Sequence, residues 1–312
     1  MQLMRQLAWI YALILVLTSG FLSCVSAAPN GTPEQPLRVM LVPTDGGTED
    51  GTKADFSPIF GAVTRHTGLH FVIRVGQSYA SVVEGLDNNL GDIAFVGPTL
   101  YLQAAARGVA EPLAVAVQNG KSVYYAGFFA KKGIALDDLA EIKGRSMAFG
   151  DVNSSSSFTI QVGMLIDAGV DPARDLSAVF LTGGHVNSLN ALAQGHVEFA
   201  AASFNSYQKA VDRGTIDPNE IVPVARSIPI PYPPFIMHPS LSGKIKSKLR
   251  EGFNNVHTDK QISPAMIRGF GGILVDRYTS EITHESFTAV QRMLDLANNE
   301  IKGEMLRAAS MN

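Results

Sequence analysis

From residue 37 onward, short apolar runs alternate with runs whose apolar residues recur every three or four positions. A strand buried on both faces reads as a short apolar run; an amphipathic helix reads at the longer period. Leu37–Val42, Leu69–Val75 and Asp92–Val96 read as strands. Between them, Asp55–Thr67 reads as a helix ended by Gly68. Tyr79, Val82, Val83, Leu86 and Leu90 mark a second helix, and Pro98 starts a third. Glu111–Val117 and Val123–Ala130 are further strands. The pattern then begins again, with strands at Arg145–Phe149, Leu176–Phe180, Val197–Ala202 and Ile221–Val224. Phe158, Val162, Leu165 and Ile166 define one intervening helix, stopped by Gly169 and Asp171-Pro172, and His185–Gln194 is the next.

Such alternation implies parallel α/β sheets covered on both faces. There are two blocks, roughly 37–120 and 125–225, followed by a helical tail around Ser242–His257 and Glu285–Leu306. The tail holds too little strand for a third domain and is expected to pack back on the first block. The expected organisation is one lobe of residues 37–121 plus 236–312 and a second of 122–235. The chain then crosses twice, near 119–124 and 226–235. Residues Ser227–Phe235 (SIPIPYPPF) are proline-rich and read as an extended connection, not an interior strand. A cleft between two such lobes is where ligands bind.

The N-terminus reads differently. Arg5 is the only charge in the first 33 residues, and Leu7–Leu17 is uninterruptedly apolar. Small residues follow, ending Val25-Ser26-Ala27, so residues 1–27 read as a signal peptide cleaved before Ala28. Phe21-Leu22-Ser23-Cys24 offers a competing reading as a lipoprotein signal, with lipid on Cys24, although Phe in that first position is atypical. Either reading sends the chain out of the cytoplasm, to a periplasm. Cys24 is the one cysteine, so intrachain disulfides and cysteine-built metal sites are excluded. Net charge is −3, without the basic excess of a general nucleic-acid binder.

Three polar features fall where a cleft would form. Phe149-Gly-Asp-Val-Asn-Ser-Ser-Ser-Ser-Phe-Thr-Ile160 follows a strand and opens a helix. Asn153 or Ser154 can cap that helix, and free backbone N–H groups beside several hydroxyls suit an oxyanion. The same residues also fit a plain cap and a serine-rich loop. Thr182-Gly-Gly-His-Val-Asn187 repeats the layout and sets His185 at a helix start, able to donate to an anion and to gain charge if the anion holds its proton. Tyr79 opens a helix, and Tyr124 and Tyr125 lie at the first crossing, where a phenol can donate to a ligand. Each of these also fits a capping or packing role.

No nucleophile elbow, phosphate loop or H-E-x-x-H motif occurs. Ser206-Tyr-Gln-Lys209 matches S-x-x-K without its companion motifs, and the histidines show no ligand spacing. Lys244, Lys246, Lys248 and Arg250 read as a solvated helix face.

Four segments together resemble the PhnD-type phosphonate- and phosphite-binding proteins, the substrate-binding components of ABC importers. They are Gly76-Gln-Ser-Tyr-Ala-Ser-Val-Val-Glu-Gly85, Gly91-Asp-Ile-Ala-Phe-Val-Gly-Pro98, Gly150-Asp-Val-Asn-Ser-Ser-Ser-Ser157 and Gly183-Gly-His-Val-Asn187. The resemblance spans about 37–275. It implies the type II periplasmic-binding-protein fold, in which two α/β lobes close on a ligand. It places Tyr79, Tyr124, Ser154, Ser155, Ser156 and His185 on the phosphonate oxygens. Relatives that bind aminoethylphosphonate hold its amine with two carboxylates. Here those positions fall on Asn205 and near Pro233, beside Tyr232, and neither is acidic. A buried ammonium without a counter-charge is costly, so the expected ligand is a smaller oxyanion: phosphite, methylphosphonate or phosphate. Asn205 and Tyr232 complete the expected ligand set. No metal or cofactor is expected. The expected partner is an ABC permease in the inner membrane, served by a monomer. Two alternatives stay open: the same module feeding a two-component sensor, and an exported hydrolase using a serine of the 154–157 cluster with His185.

Overall fold

The computed structural model describes residues 30–43 and 49–311. The signal-peptide and Cys24 readings lie outside them.

Two sheets organise the chain. The first is built from β1 (Leu37–Leu41), β2 (Phe71–Val75), β3 (Ile93–Phe95), β4 (Glu111–Val117), β12 (Phe235–Met237) and β13 (Arg277–Thr279). Their order is β13-β4-β12-β3-β1-β2. The second contains β6 (Ala126–Lys131), β7 (Ser146–Phe149), β8 (Ala178–Leu181), β9 (Phe199–Ser203) and β10 (Ile221–Arg226), in the order β10-β6-β9-β7-β8. Between the sheets, β5 (Val123–Tyr124) and β11 (Ile230–Pro231) pair as a short antiparallel ribbon. The two expected crossings run through this ribbon.

The helices are α1 (Glu49–Thr67), α2 (Tyr79–Asp87), α3 (Pro98–Ala106), α4 (Ile160–Asp167), α5 (His185–Ala193), α6 (Phe204–Asp212), α7 (Gly243–Asn255), α8 (Thr288–Leu296) and α9 (Asn299–Ala309). The helical stretch expected around Glu285–Leu306 breaks after α8 because Asn298 caps the next helix, accepting from the Glu300 and Ile301 N–H groups at 2.9 and 3.1 Å.

The sheets are mixed, which corrects the wholly parallel expectation. β2-β1-β3 and β8-β7-β9 are parallel, but β12 runs antiparallel to both β3 and β4, and β6 runs antiparallel to β9 and β10. An apolar run carries no signal of direction. Of the antiparallel members, β6 and β12 enter their sheets directly from the crossings, with no crossover helix to turn them parallel, and β13 joins the first sheet at its edge against β4.

β12 was hidden in the proline-rich run. Pro233 and Pro234 stop short of the strand, so no ladder donor is lost within it. Phe235 then drops into an aromatic cluster, with ring centroids 4.7–5.6 Å from Phe56, Phe60, Phe95, Phe253 and Tyr278. That burial seats the strand between β3 and β4.

The tail returns to the first lobe only in part: α7 buries Leu249 and Phe253 in the first core as expected, but the last two helices do more. α8 turns Val290 and Met293 into the first core, yet Met293 also lies against Gly163 of α4, so close that a Cβ on Gly163 would meet its sulfur at 2.7 Å. α9 buries Met305 in the second core and ties to it by the Arg174–Glu304 pair at 2.7 Å. Helices packed on both lobes therefore form a third connection. The periodicity of this tail marks a buried face without saying which sheet it buries against.

Candidate functional site

The serine segment starts where β7 ends. Gly150 sits so close beneath the following turn that a Cβ there would come within 2.1 Å of Ser157 Oγ, and its N–H donates to the Ser157 carbonyl at 2.9 Å. Ser154 caps the turn, its Oγ accepting from Ser157 N–H at 3.2 Å. The chain then widens to i→i+5 bonding, with Thr159 N–H donating to the Ser154 carbonyl at 3.0 Å, before α4 begins. Such π turns recur at functional sites because they reorient side chains within a helix. Here the turn holds Ser154, Ser155 and Ser156 buried at the mouth of α4.

His185 opens α5 and is fully buried. Its Nδ1 accepts a hydrogen bond from Ser203 N–H at 2.9 Å. That bond assigns the ring proton to Nε2, which faces Ser154 Oγ at 3.5 Å, the far edge of hydrogen-bonding distance. A second proton on Nδ1 would set two N–H groups against each other, so the gain of charge expected for His185 conflicts with this geometry. Its role becomes that of a neutral donor behind Ser154.

A small pocket lies between the lobes, lined by Ser154, Ser155 and Ser156 on one side. Val42, Phe95, Gly97 and Tyr79 of the first lobe face them, and Tyr124, Pro233 and Phe270 close the ends. The space open to the centre of a water molecule is about 10 Å³, the room of a single water. No lining residue is charged. The lobes touch directly here: Thr99 N–H, in the first turn of α3, donates to Ser155 Oγ at 2.9 Å. With its oxygen accepting from Thr99, the Ser155 hydroxyl has its proton left to donate.

The pocket thus gathers five of the eight residues named from sequence: Tyr79, Tyr124, Ser154, Ser155 and Ser156. His185 stands behind Ser154. Asn205 and Tyr232 fall outside. They bond each other at 3.4 Å, Tyr232 donates to Gln118 Oε1 at 3.0 Å, and both line a separate, larger space of about 530 Å³ beyond Tyr124. Burial raises the Tyr232 phenol's pKa against the lowering effect of Asn205, which keeps Tyr232 a donor. Sequence reasoning missed Val42, Phe95, Gly97, Thr99 and Phe270. Apolar wall residues look like any core residue in a sequence; only the Gly-Phe-Gly-Gly run around Phe270 was unusual enough to have been noticed.

Two α/β lobes, joined by a strand ribbon and closing on a cleft, define a solute-binding protein of the type II periplasmic fold. Solved structures agree. The fold matches a binding protein component of an ABC phosphonate transporter from Pseudomonas aeruginosa with a TM-score of 0.69, at 20% identity over 88% of this chain and 95% of that one. It also matches PhnD1 from Prochlorococcus marinus, solved in complex with methylphosphonate, with a TM-score of 0.68 at 13% identity over 82% of this chain and 96% of that one. Residues 46–273 match the family described as ABC transporter, phosphonate, periplasmic substrate-binding protein, and the chain belongs to that family. A curated relative, the phosphate-import protein PhnD of Mycolicibacterium smegmatis, is 25% identical over 93% of this chain and 94% of its own length. The family binds and delivers; it does not catalyse, which sets the hydrolase alternative aside. No helix among the described residues is long and apolar enough to cross a membrane.

Proposed function

We propose that this chain captures a small phosphorus oxyanion whose fourth substituent is hydrogen or methyl (phosphite or methylphosphonate), ahead of phosphate. One observation carries the reading: three serine hydroxyls at a helix start face an apolar wall across a pocket with no charged lining residue. Hydroxyls and turn N–H groups suit the charged oxygens. Val42, Phe95, Pro233 and Phe270 suit a P–H or P–CH3 group, and they would leave a fourth phosphate oxygen without a partner. With no carboxylate lining the pocket, an aminoalkyl substituent gains no counter-charge there. Export by the N-terminal segment and delivery, as a monomer, to an inner-membrane permease complete the proposal.

The test is a thermal-shift panel, read with an external dye, of phosphite, methylphosphonate, phosphate, aminoethylphosphonate, arsenite and sulfate. A ligand at 100 times its Kd adds about 2.7 kcal/mol, a shift of roughly 5–10 °C for a chain of this size. Phosphite or methylphosphonate should give the largest shift. A response to aminoethylphosphonate alone, or to none of the phosphorus compounds, overturns the reading.

A further inference from the structure

Phe270 comes from the C-terminal part of the first lobe, far in sequence from every other residue of the pocket. Its short turn is pinned on several sides. Gly269 N–H donates to the Ile273 carbonyl at 2.9 Å, Gly272 N–H to the Gly269 carbonyl at 2.9 Å, and Arg268 to the Gly272 carbonyl at 2.7 Å. Gly271 and Gly272 adopt φ of +74° and +73°, which favours glycine at both. The pinned turn pushes the Phe270 ring, nearly fully buried, against Tyr124 at 5.6 Å and edge-on to His185 at 5.8 Å between centroids. Phe270 therefore reaches from the first lobe to a side chain of the second.

Two spaces lie to either side of the Tyr124 ring, on which Phe270 packs. On one side is the small pocket with its three serines. On the other is the larger space holding Asn205, Tyr232, Gln118, Lys121 and Arg226. Tyr124 lines both, and Gly271 lies beside Asn205, whose Cβ would be 3.8 Å from a Cβ built on the glycine. The charged residues of the larger space are both cationic: Lys121 and Arg226, the latter stacked 3.6 Å over the Tyr125 ring. No carboxylate lines it.

We propose that Tyr124, held in place by the Phe270 ring, is a specificity-determining partition: it confines the ligand's substituent to hydrogen or methyl, and loss of the Phe270 ring frees it and joins the serine pocket to a cationic space fit for an anionic substituent. This rests on the oxyanion reading above. A phosphonate whose substituent ends in a carboxylate would then span both spaces, its phosphonate on the serines and its carboxylate toward Lys121 and Arg226.

The experiment is calorimetric titration of the wild-type protein, Phe270→Ala and Phe270→Leu with phosphite, methylphosphonate, phosphonoacetate and aminoethylphosphonate. In the wild type, methylphosphonate should bind and phosphonoacetate should give no heat. In Phe270→Ala, phosphonoacetate should give measurable heat and bind at least as tightly as methylphosphonate, with aminoethylphosphonate still silent because the opened space is cationic. Phe270→Leu keeps apolar bulk and the wild-type order, so it remains informative should Phe270→Ala fail to fold; a Leu variant that accepts phosphonoacetate as readily as methylphosphonate overturns the role given to this bulk. Equal weakening of all ligands in Phe270→Ala, with their ratio unchanged, shows ordinary packing and overturns the proposal alone. A wild-type protein silent to phosphite and methylphosphonate overturns the oxyanion reading and the proposal with it.

Discussion

The second lobe meets the cleft with three hydroxyls and a histidine behind them; the first meets it with a valine, two phenylalanines and a tyrosine. Both walls are helix starts and strand ends, so backbone geometry alone does not separate them. The difference lies in what the buried polar atoms are tied to. On the serine side, Ser154 accepts from Ser157 and faces His185, and His185 accepts from Ser203, all within one lobe. That network is assembled before any ligand arrives, so little orientation remains to be ordered on binding. On the other side Thr99 N–H reaches across, and its partner Ser155 belongs to the opposite lobe. One wall is prepared for the anion, and the other shapes what accompanies it.

The sharpest way to break this contrast is Ser154→Ala. It removes a helix cap, worth about 1 kcal/mol, and a hydrogen bond to a charged ligand, worth about 1.5–3 kcal/mol. Titration should show affinity falling roughly 10- to 150-fold, with a lower Tm for the free protein. His185→Ala should follow. It orphans the buried Ser203 N–H and should cost about 1–3 kcal/mol of stability in urea titration, with weakened anion binding through Ser154. Unchanged affinity would detach His185 from the site.

Ser155→Ala tests the cross-lobe tie. It should lose about 0.5–1.5 kcal/mol that favours the closed arrangement. Small-angle scattering should then show a larger radius of gyration for the free variant, which Ser156→Ala should not show. Alkaline titration probes the third connection, where Tyr101 of α3 bonds His284, just before α8, at 2.9 Å. Burial, then the Glu285 and Glu111 carboxylates, push the Tyr101 phenol up to about 12. An unfolded phenol ionises near pH 10, so the unfolded state releases its proton first as pH rises. Stability is lost between about pH 10 and 12, and Tyr101→Phe should flatten part of that decline. The smallest effect is expected at Asn205, beyond Tyr124. Asn205→Glu should leave phosphite affinity within about twofold of wild type, a difference of only ~0.4 kcal/mol; tighter phosphite binding would mean that the substituent points there after all.

Much of this was legible in the amino-acid order. Apolar runs located most strands, and Pro98, Ser154 and the glycine before His185 marked helix starts because caps have local chemistry. Tyr79 and the serines could be placed at the cleft because helix starts in such folds face it. Strand direction was not legible, nor was the insertion of β12, since Phe235 is drawn in by aromatic rings distant in sequence. Asn205 and Tyr232 lie beyond Tyr124 for a related reason. Alignment sets residues along the chain, whereas the Phe270 ring that packs on Tyr124 at the pocket arrives from a turn beyond both. The apolar wall carried no sequence signal, because a side chain that contacts a ligand and one that fills a core obey the same rule.

The tail has a mechanical consequence. Two adjacent strands form a strap, and a strap both bends and twists. α8, wedged between the first core and Gly163 of α4, fastens the halves at a second place. A panel held at two separate points swings only about the line through them, as a door does. Any opening of the cleft is then confined to a single arc.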